Sequence, residues 1–197
     1  MITNESNQAN FVHIAQSTPE EWSLLMKRFN EHVAHLPDRI LAHMRLMAND
    51  FGGFPVDRLT HSLQTATLAL NDGQDEEYVV CALLHDFGDL LGSFNHPDFA
   101  ATVLQPFVSE ANYWMVKHHG IFQGYYFFHH LGLDRNLRDE YRDNPYFKRT
   151  AEFCAKYDGA AFDPNMEFLP LEAFEPMVRR VMAKPKNAGV YASMKAK

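Results

Sequence analysis

The sequence is poor in cysteine, in positive charge and in long apolar runs, and each shortage excludes something. Two cysteines, Cys81 and Cys154, occur in 197 residues. Both lie in apolar helical stretches, so they are expected as buried free thiols in a reducing compartment, not as a disulfide framework. Lysine and arginine total 18 against 25 acidic residues, a formal net charge of -7. Binding along a nucleic-acid backbone needs a basic face, so nucleic acid is excluded as a partner; a small anion, which needs only a local cluster, is not. The longest apolar run, YVVCALL from Tyr78, is far short of the about 20 residues that cross a membrane. The first residues lack the basic and apolar regions of a secretory signal, and the chain is expected to be soluble and cytoplasmic. Strand-like alternation never persists, and no fixed-period repeat or low-complexity tract occurs. Nothing in the chain marks an oligomeric state.

What is present is helical. Hydrophobic residues make up 46% and charged residues 22%, enough for one domain with a sizeable core and too little chain for two. The expected organisation is a flexible tail over 1–17, a single compact all-α bundle over 18–183 and a loose basic tail over 184–197. Thr18-Pro19-Glu20-Glu21 is a helix start, with Thr as N-cap, Pro at the first position and Glu three residues after the cap. Pro37 opens a second helix. Leu59, Leu63, Ala66 and Leu70 recur at helical spacing. A strongly apolar helix is expected from Glu76 to Phe87, with Gly88 as its C′ residue. Further helices are expected from Pro97 to about Phe107, and from Glu110 to His119, where Gly120 ends the pattern. Asp134 to Arg142 reads as a polar helix, Asn144-Pro145 opens another reaching KYDG, and Leu171 to Met182 is the last. The aromatic stretch IFQGYYFFHHLGL reads as irregular wall or short helix.

Eleven histidines are the chemical signal. His13, His32, His35 and His43 read as surface or satisfied core residues. His61, His85, Asp86, His96, His119 and Asp158 instead fall at helix ends or on apolar faces. Buried ionisable groups are costly unless paired or bound to metal. In a helical bundle such groups can converge on one centre. Imidazole and carboxylate without thiolate suit iron, manganese or zinc. In an adjacent pair such as His85-Asp86, the histidine can bind one ion while the two carboxylate oxygens bridge to a second.

The pattern His61, His85-Asp86 and Asp158 resembles the HD-domain superfamily of helical metalloproteins, most of which are phosphohydrolases. RLTHSLQTA around His61 and ALLHDFGD around His85 are more specifically similar to its mixed-valent di-iron oxygenases, the group of the C–P-cleaving phosphonate oxygenases and myo-inositol oxygenase. NHPDFAA at His96, KHHGIFQGYY at His118-His119 and EFCAKYD at Asp158 extend the resemblance over about Asp50 to Asp158. It implies two iron ions, Fe(II)/Fe(III). One would be held by His61, His85 and Asp158, the other by His96 and His119, with Asp86 between them. His118 competes with His119, and the neighbouring GIFQGYY favours His119. His129-His130 has no counterpart and reads as structural or supporting.

The resemblance implies an oxygenase that uses O2 to cleave a C–C or C–P bond of a small hydroxylated substrate. Departures concern the substrate. The lid tyrosine and glutamate of the phosphonate oxygenases align with Phe51 and Phe54. A basic or neutral substrate contact aligns with Asp89. Two basic anchors align with Gln123 and Ala155, which Lys117 or Lys156 would have to replace. Asp89, Gln123 and Lys117 are therefore the candidate substrate-binding residues, and Asp89, if left unpaired, would suit a cationic or hydroxylated group. Phe122, Tyr125, Tyr126, Phe127 and Phe128 read as core first, and as a box for a quaternary ammonium second. The rival readings are a metal-dependent phosphohydrolase, using other divalent ions, and a non-catalytic metal-stabilised module.

Overall fold

The computed structural model describes residues 8–186, and the expected tails fall partly outside them, at 1–7 and 187–197. Among the described residues there are eight α-helices and no strand. They are α1 (Pro19–Ala34), α2 (Leu36–Leu46), α3 (Arg58–Asn71), α4 (Glu76–Leu84), α5 (His96–Leu104), α6 (Glu110–Phe127), α7 (Phe147–Lys156) and α8 (Leu171–Met182). The architecture is all-α. Residues 8–17, assigned to the tail, include a short 3-10 helix at Ile14–Gln16.

Local chemistry starts these helices. Thr18 and Glu21 form a reciprocal capping box before Pro19, which satisfies amide donors that the first turn leaves free. Asp57, Asp75 and Ser109 cap α3, α4 and α6 by accepting from backbone amides. Burial then decides the packing. Every residue of α4 from Tyr78 to Leu84 is buried, as expected of a helix that is apolar all round. It lies at the centre of the bundle against α3, α6 and α8. α5 and α7 pack on α6, and α2 on α8. α1 buries no residue.

Three expectations about the helices change, the first for a steric reason. α6 does not stop at Gly120 but continues to Phe127. A Cβ on Gly120 would lie 3.3 Å from Cγ of Pro97, and one on Gly124 would enter the Phe128 ring. These glycines let neighbouring elements approach the helix; they do not end it. Gly88 is likewise not a left-handed cap, since it is absent from the positive-φ residues. Finally, the Asp134–Arg142 segment forms only a 3-10 helix, Leu137–Tyr141.

Candidate metal centre

All but one of the side chains of interest are delivered by helix ends or the turns beside them. Asp57 accepts from the Thr60 amide at 2.7 Å and starts α3, which sets Arg58 and His61 three residues apart on one face. α4 ends at His85, and Asp86 follows on the turn. A Cβ on Gly88 would lie 2.8 Å from the His96 carbonyl oxygen. The missing side chain therefore lets the start of α5, and His96 with it, close on the turn that carries Asp86. His119 comes from the body of α6, and Asp158 follows α7. The next residue, Gly159, would place a Cβ 2.6 Å from the Cys154 carbonyl oxygen, so that turn is tight enough to bury Asp158 completely.

These six residues converge, and all four histidines present Nε2 to the centre. Nδ1 of His61, His85 and His119 lies 2.9, 2.8 and 2.6 Å from the carbonyl oxygens of Ala161, Ala82 and Val116. Nδ1 of His96 lies 3.0 Å from Asp89 Oδ1. A carbonyl only accepts, so Nδ1 carries the hydrogen in each of the first three and Nε2 holds a lone pair when the ring is neutral. Nε2 of His61 faces Nε2 of His85 at 3.2 Å. Two lone pairs at that distance repel unless a proton or metal ion lies between them.

Asp86 divides its oxygens between two pairs of histidines. Oδ2 lies 3.4 and 3.3 Å from Nε2 of His61 and His85. Oδ1 lies 3.3 and 3.0 Å from Nε2 of His96 and His119. On the first side Asp158 Oδ1 approaches His61 and His85 at 3.3 and 3.6 Å. Ligands about 2.1 Å from a common ion stand about 3.0 to 3.4 Å apart in octahedral or tetrahedral geometry, the spacing of every one of these pairs but His85–Asp158, which is slightly wider. The overlapping groups His61–His85–Asp86, His85–His119–Asp158 and Asp86–His96–His119 each bring three ligand atoms within 4.8 Å of one another.

The electrostatics agree. Burial disfavours charge on His85, but Asp86 and Asp158 outweigh it and hold its pKa well above the ordinary imidazole value. Burial likewise disfavours both carboxylates, yet His85 and the hydrogen bonds from His119 and His96 hold Asp86 well below its usual range. His61 and His85 lower Asp158 in the same way. The cluster thus demands positive charge. Asp158 Oδ2 is buried with no hydrogen-bond partner, an acceptor that a bound cation would satisfy. Gln123 donates to the other oxygen, Oδ1, at 2.6 Å.

A cavity of about 700 Å³ opens onto the cluster, with His61, Asp86 and His96 in its wall beside Phe54, Phe162 and Tyr126. Phe162 stacks on His61 with ring centres 4.4 Å apart, and Phe54 stacks on Phe162 at 5.5 Å. Asp89 lines the cavity but is not free: Oδ1 meets His96, and Oδ2 is paired with Arg58. Arg58 also meets Asp50 at 3.2 Å. The condition attached to Asp89 as a contact for a cationic group therefore fails, because its charge is already matched. Lys117 does not reach the cavity wall; its ammonium lies 3.8 Å from Asp98. Lys156 is held 3.8 Å from Asp72. His118 stacks on Trp114 at 4.0 Å and turns away from the cluster that His119 joins. The aromatic run divides: Phe122 is core, while Tyr126 and Phe127 line the cavity.

No protein-family model matches the chain. It is 30% identical over 170 residues to the [1-hydroxy-2-(trimethylamino)ethyl]phosphonate dioxygenase (glycine-betaine-forming) of Leisingera caerulea, covering 71% of this chain and 86% of that protein. The chain belongs to the family of this phosphonate dioxygenase. Among the described residues the cavity wall carries one guanidinium, Arg58, and that group is engaged by two aspartates. Sequence reasoning passed over Arg58, although its place three residues before His61 puts both on one helix face. It also passed over Phe162, which follows the last ligand in irregular chain and gives no periodic signal.

Proposed function

We propose that the protein is a di-iron oxygenase that uses O2 to cleave a C–P or C–C bond of a small hydroxylated substrate. The observation that carries this reading is Asp86, whose two oxygens face two separate histidine pairs at 3.0 to 3.4 Å. That arrangement suits two ions sharing one carboxylate. His61, His85 and Asp158 would hold one ion, and His96 and His119 the other. When bound, an Fe(II)/Fe(III) pair supplies O2 activation and Lewis acidity toward a substrate hydroxyl. The chain's own groups do the rest. The carbonyls of Ala161, Ala82 and Val116 fix the histidine tautomers. Asp89 steadies His96, and Gln123 steadies Asp158. Phe162 and Phe54 cover His61 and keep water from that side.

His96 is the most exposed of the four histidines, at 27% of its side chain, so substrate and O2 would approach on its side. The relative's name gives it a substrate with a trimethylamino group and a phosphonate. In this chain Phe54, Tyr126 and Phe127 line the cavity and supply an aromatic wall for a cationic or neutral end, while Phe162 is stacked between His61 and Phe54. The alternative hydrolase reading draws on the same ligands, and no feature of the cavity favours it.

The test is O2 consumption by iron-loaded protein with [1-hydroxy-2-(trimethylamino)ethyl]phosphonate and with neutral and cationic 1-hydroxylated analogues. Substrate-dependent O2 uptake, with phosphate released from the phosphonate, is the expected result. Hydrolysis of phosphomonoesters with manganese, nickel, cobalt or magnesium, and no O2 uptake with any hydroxylated compound, would overturn the proposal.

A further inference from the structure

The cavity beside the ligand cluster is larger than a small polar molecule needs. At about 700 Å³ it sits within the range of about 300 to 1,000 Å³ that takes drug-sized ligands. Besides metal ligands, its wall includes Phe54, Pro55, Val56, Tyr126, Phe127 and Ala155. Phe54, Tyr126 and Phe127 keep 53, 43 and 41% of their surface exposed, although side chains of this size gain most by burial. Phe94, next to Ser93 of the wall, is fully exposed. Apolar surface gathered around one cavity marks a place where an apolar group binds.

The polar side chains of that wall are already engaged. Arg58 is shared by Asp50 and Asp89, and the other oxygen of Asp89 lies 3.0 Å from Nδ1 of His96. Ser93 donates to the Asp89 carbonyl at 2.6 Å, Gln123 to Asp158 at 2.6 Å, and the Cys154 thiol to the His119 carbonyl at 3.4 Å. The Tyr126 hydroxyl is the one polar side-chain group left among the described residues of the wall. A polar group on a ligand needs a partner to repay its lost hydration. The metal centre can supply one for a hydroxyl and the oxygens beside it; the rest of the wall cannot. A cation fares no better. The carboxylates of the wall are Asp86, which faces the histidines, and Asp89, which is matched; Asp50 lies outside it. An iron-loaded centre would add positive charge nearby, which repels a cation. Aromatic faces attract cations, but a cation must first give up its water. An alkyl or aryl group gains on the same faces without that cost.

We propose that the part of the substrate beyond its hydroxylated end is an uncharged apolar group, an alkyl chain or a ring, seated on Phe54, Tyr126 and Phe127. These three side chains set the specificity. The proposal rests on the oxygenase reading for which end of the substrate meets the centre, and it names the class: a hydroxylated compound with an apolar tail and no ammonium group.

Anaerobic isothermal titration of the metal-loaded full-length protein tests this. The probes are 1-hydroxyalkylphosphonates and 1,2-alkanediols of about two to eight carbons, together with [1-hydroxy-2-(trimethylamino)ethyl]phosphonate and its neutral isostere, (1-hydroxy-3,3-dimethylbutyl)phosphonate. In at least one series, affinity should rise about two- to fourfold per methylene until the tail outgrows the wall. The neutral isostere should bind at least about threefold more tightly than the trimethylamino compound. F54S and F127S, at exposed positions, should each flatten the rise, with metal content and Tm unchanged and the shortest member within about twofold of wild type. Y126S should do the same. No rise with length in either series overturns the proposal. So does tighter binding of the trimethylamino compound than of its isostere, or a rise that all three variants leave unchanged. Binding is read without O2, so the two readings fail separately. A rise with length but no later O2 uptake sinks the oxygenase reading; O2 uptake without the rise sinks this one.

Discussion

Asp89→Asn separates a substrate-binding role for Asp89 from a supporting one. In the structure Asp89 Oδ1 lies 3.0 Å from Nδ1 of His96, and Oδ2 is paired with Arg58. The amide keeps the shape and an acceptor for His96 but removes the charge that makes the imidazole a stronger donor to metal. Loss of such a partner weakens metal binding by about 10- to 100-fold, or about 1.4 to 2.8 kcal/mol. Asp89 is only 13% exposed, so solvent screens the interaction little. The loss should fall on the ion proposed at His96, His119 and Asp86. The ion proposed at His61, His85 and Asp158 should be nearly unaffected. Competition with a chelator, with metal counted per chain at each chelator concentration, resolves the two steps. If both ions leave as they do from wild type, or both weaken equally, Asp89 does not act through His96 and the reasoning is refuted.

Other outcomes follow from the same geometry. Asp86→Asn should destabilise both ions and Asp158→Asn only the one beside His61 and His85; metal counts that rank the two the other way would contradict a bridging Asp86. Gly88→Ala, whose Cβ would sit 2.8 Å from the His96 carbonyl and 2.9 Å from Phe99 Cβ, should lower stability by about 1 to 3 kcal/mol. It should also lower occupancy of the His96 site, read by thermal unfolding and metal analysis. In chelated protein the raised pKa of His85 gives stability that is full below about 6.5 and lost as pH rises through the raised value. The lowered Asp86 and Asp158 give stability present above about 3.9 and lost only as pH falls through their lowered values. The Tm of chelated protein should therefore decline from about pH 6.5 upward, while that of metal-loaded protein should not; parallel curves would count against this.

The elements that could be read from sequence were those governed by local rules. The Thr18–Glu21 box, the apolar Tyr78–Leu84 run and the Leu171–Met182 helix are written in capping chemistry and period. The convergence of His61, His85, Asp86, His96, His119 and Asp158 was legible because each falls at a helix end or on a buried face. What was not legible depends on long-range contact. Gly120 reads as a stop until Pro97 is seen beside it. Asp89 reads as an open charge until Arg58, 31 positions earlier, is found against it. Lys117 reads as available until Asp98 claims it. Charge pairing across helices leaves no periodic trace, so the partners of Asp89 and Lys117 could not be read from sequence.

The most direct test of the central claim is the iron content and spin state of the protein produced in iron-replete cells. Two irons per chain, giving an antiferromagnetically coupled mixed-valent EPR signal after partial reduction, are predicted, with the signal lost in Asp86→Asn. One metal ion per chain, or two that show no magnetic coupling, would contradict a centre bridged by Asp86.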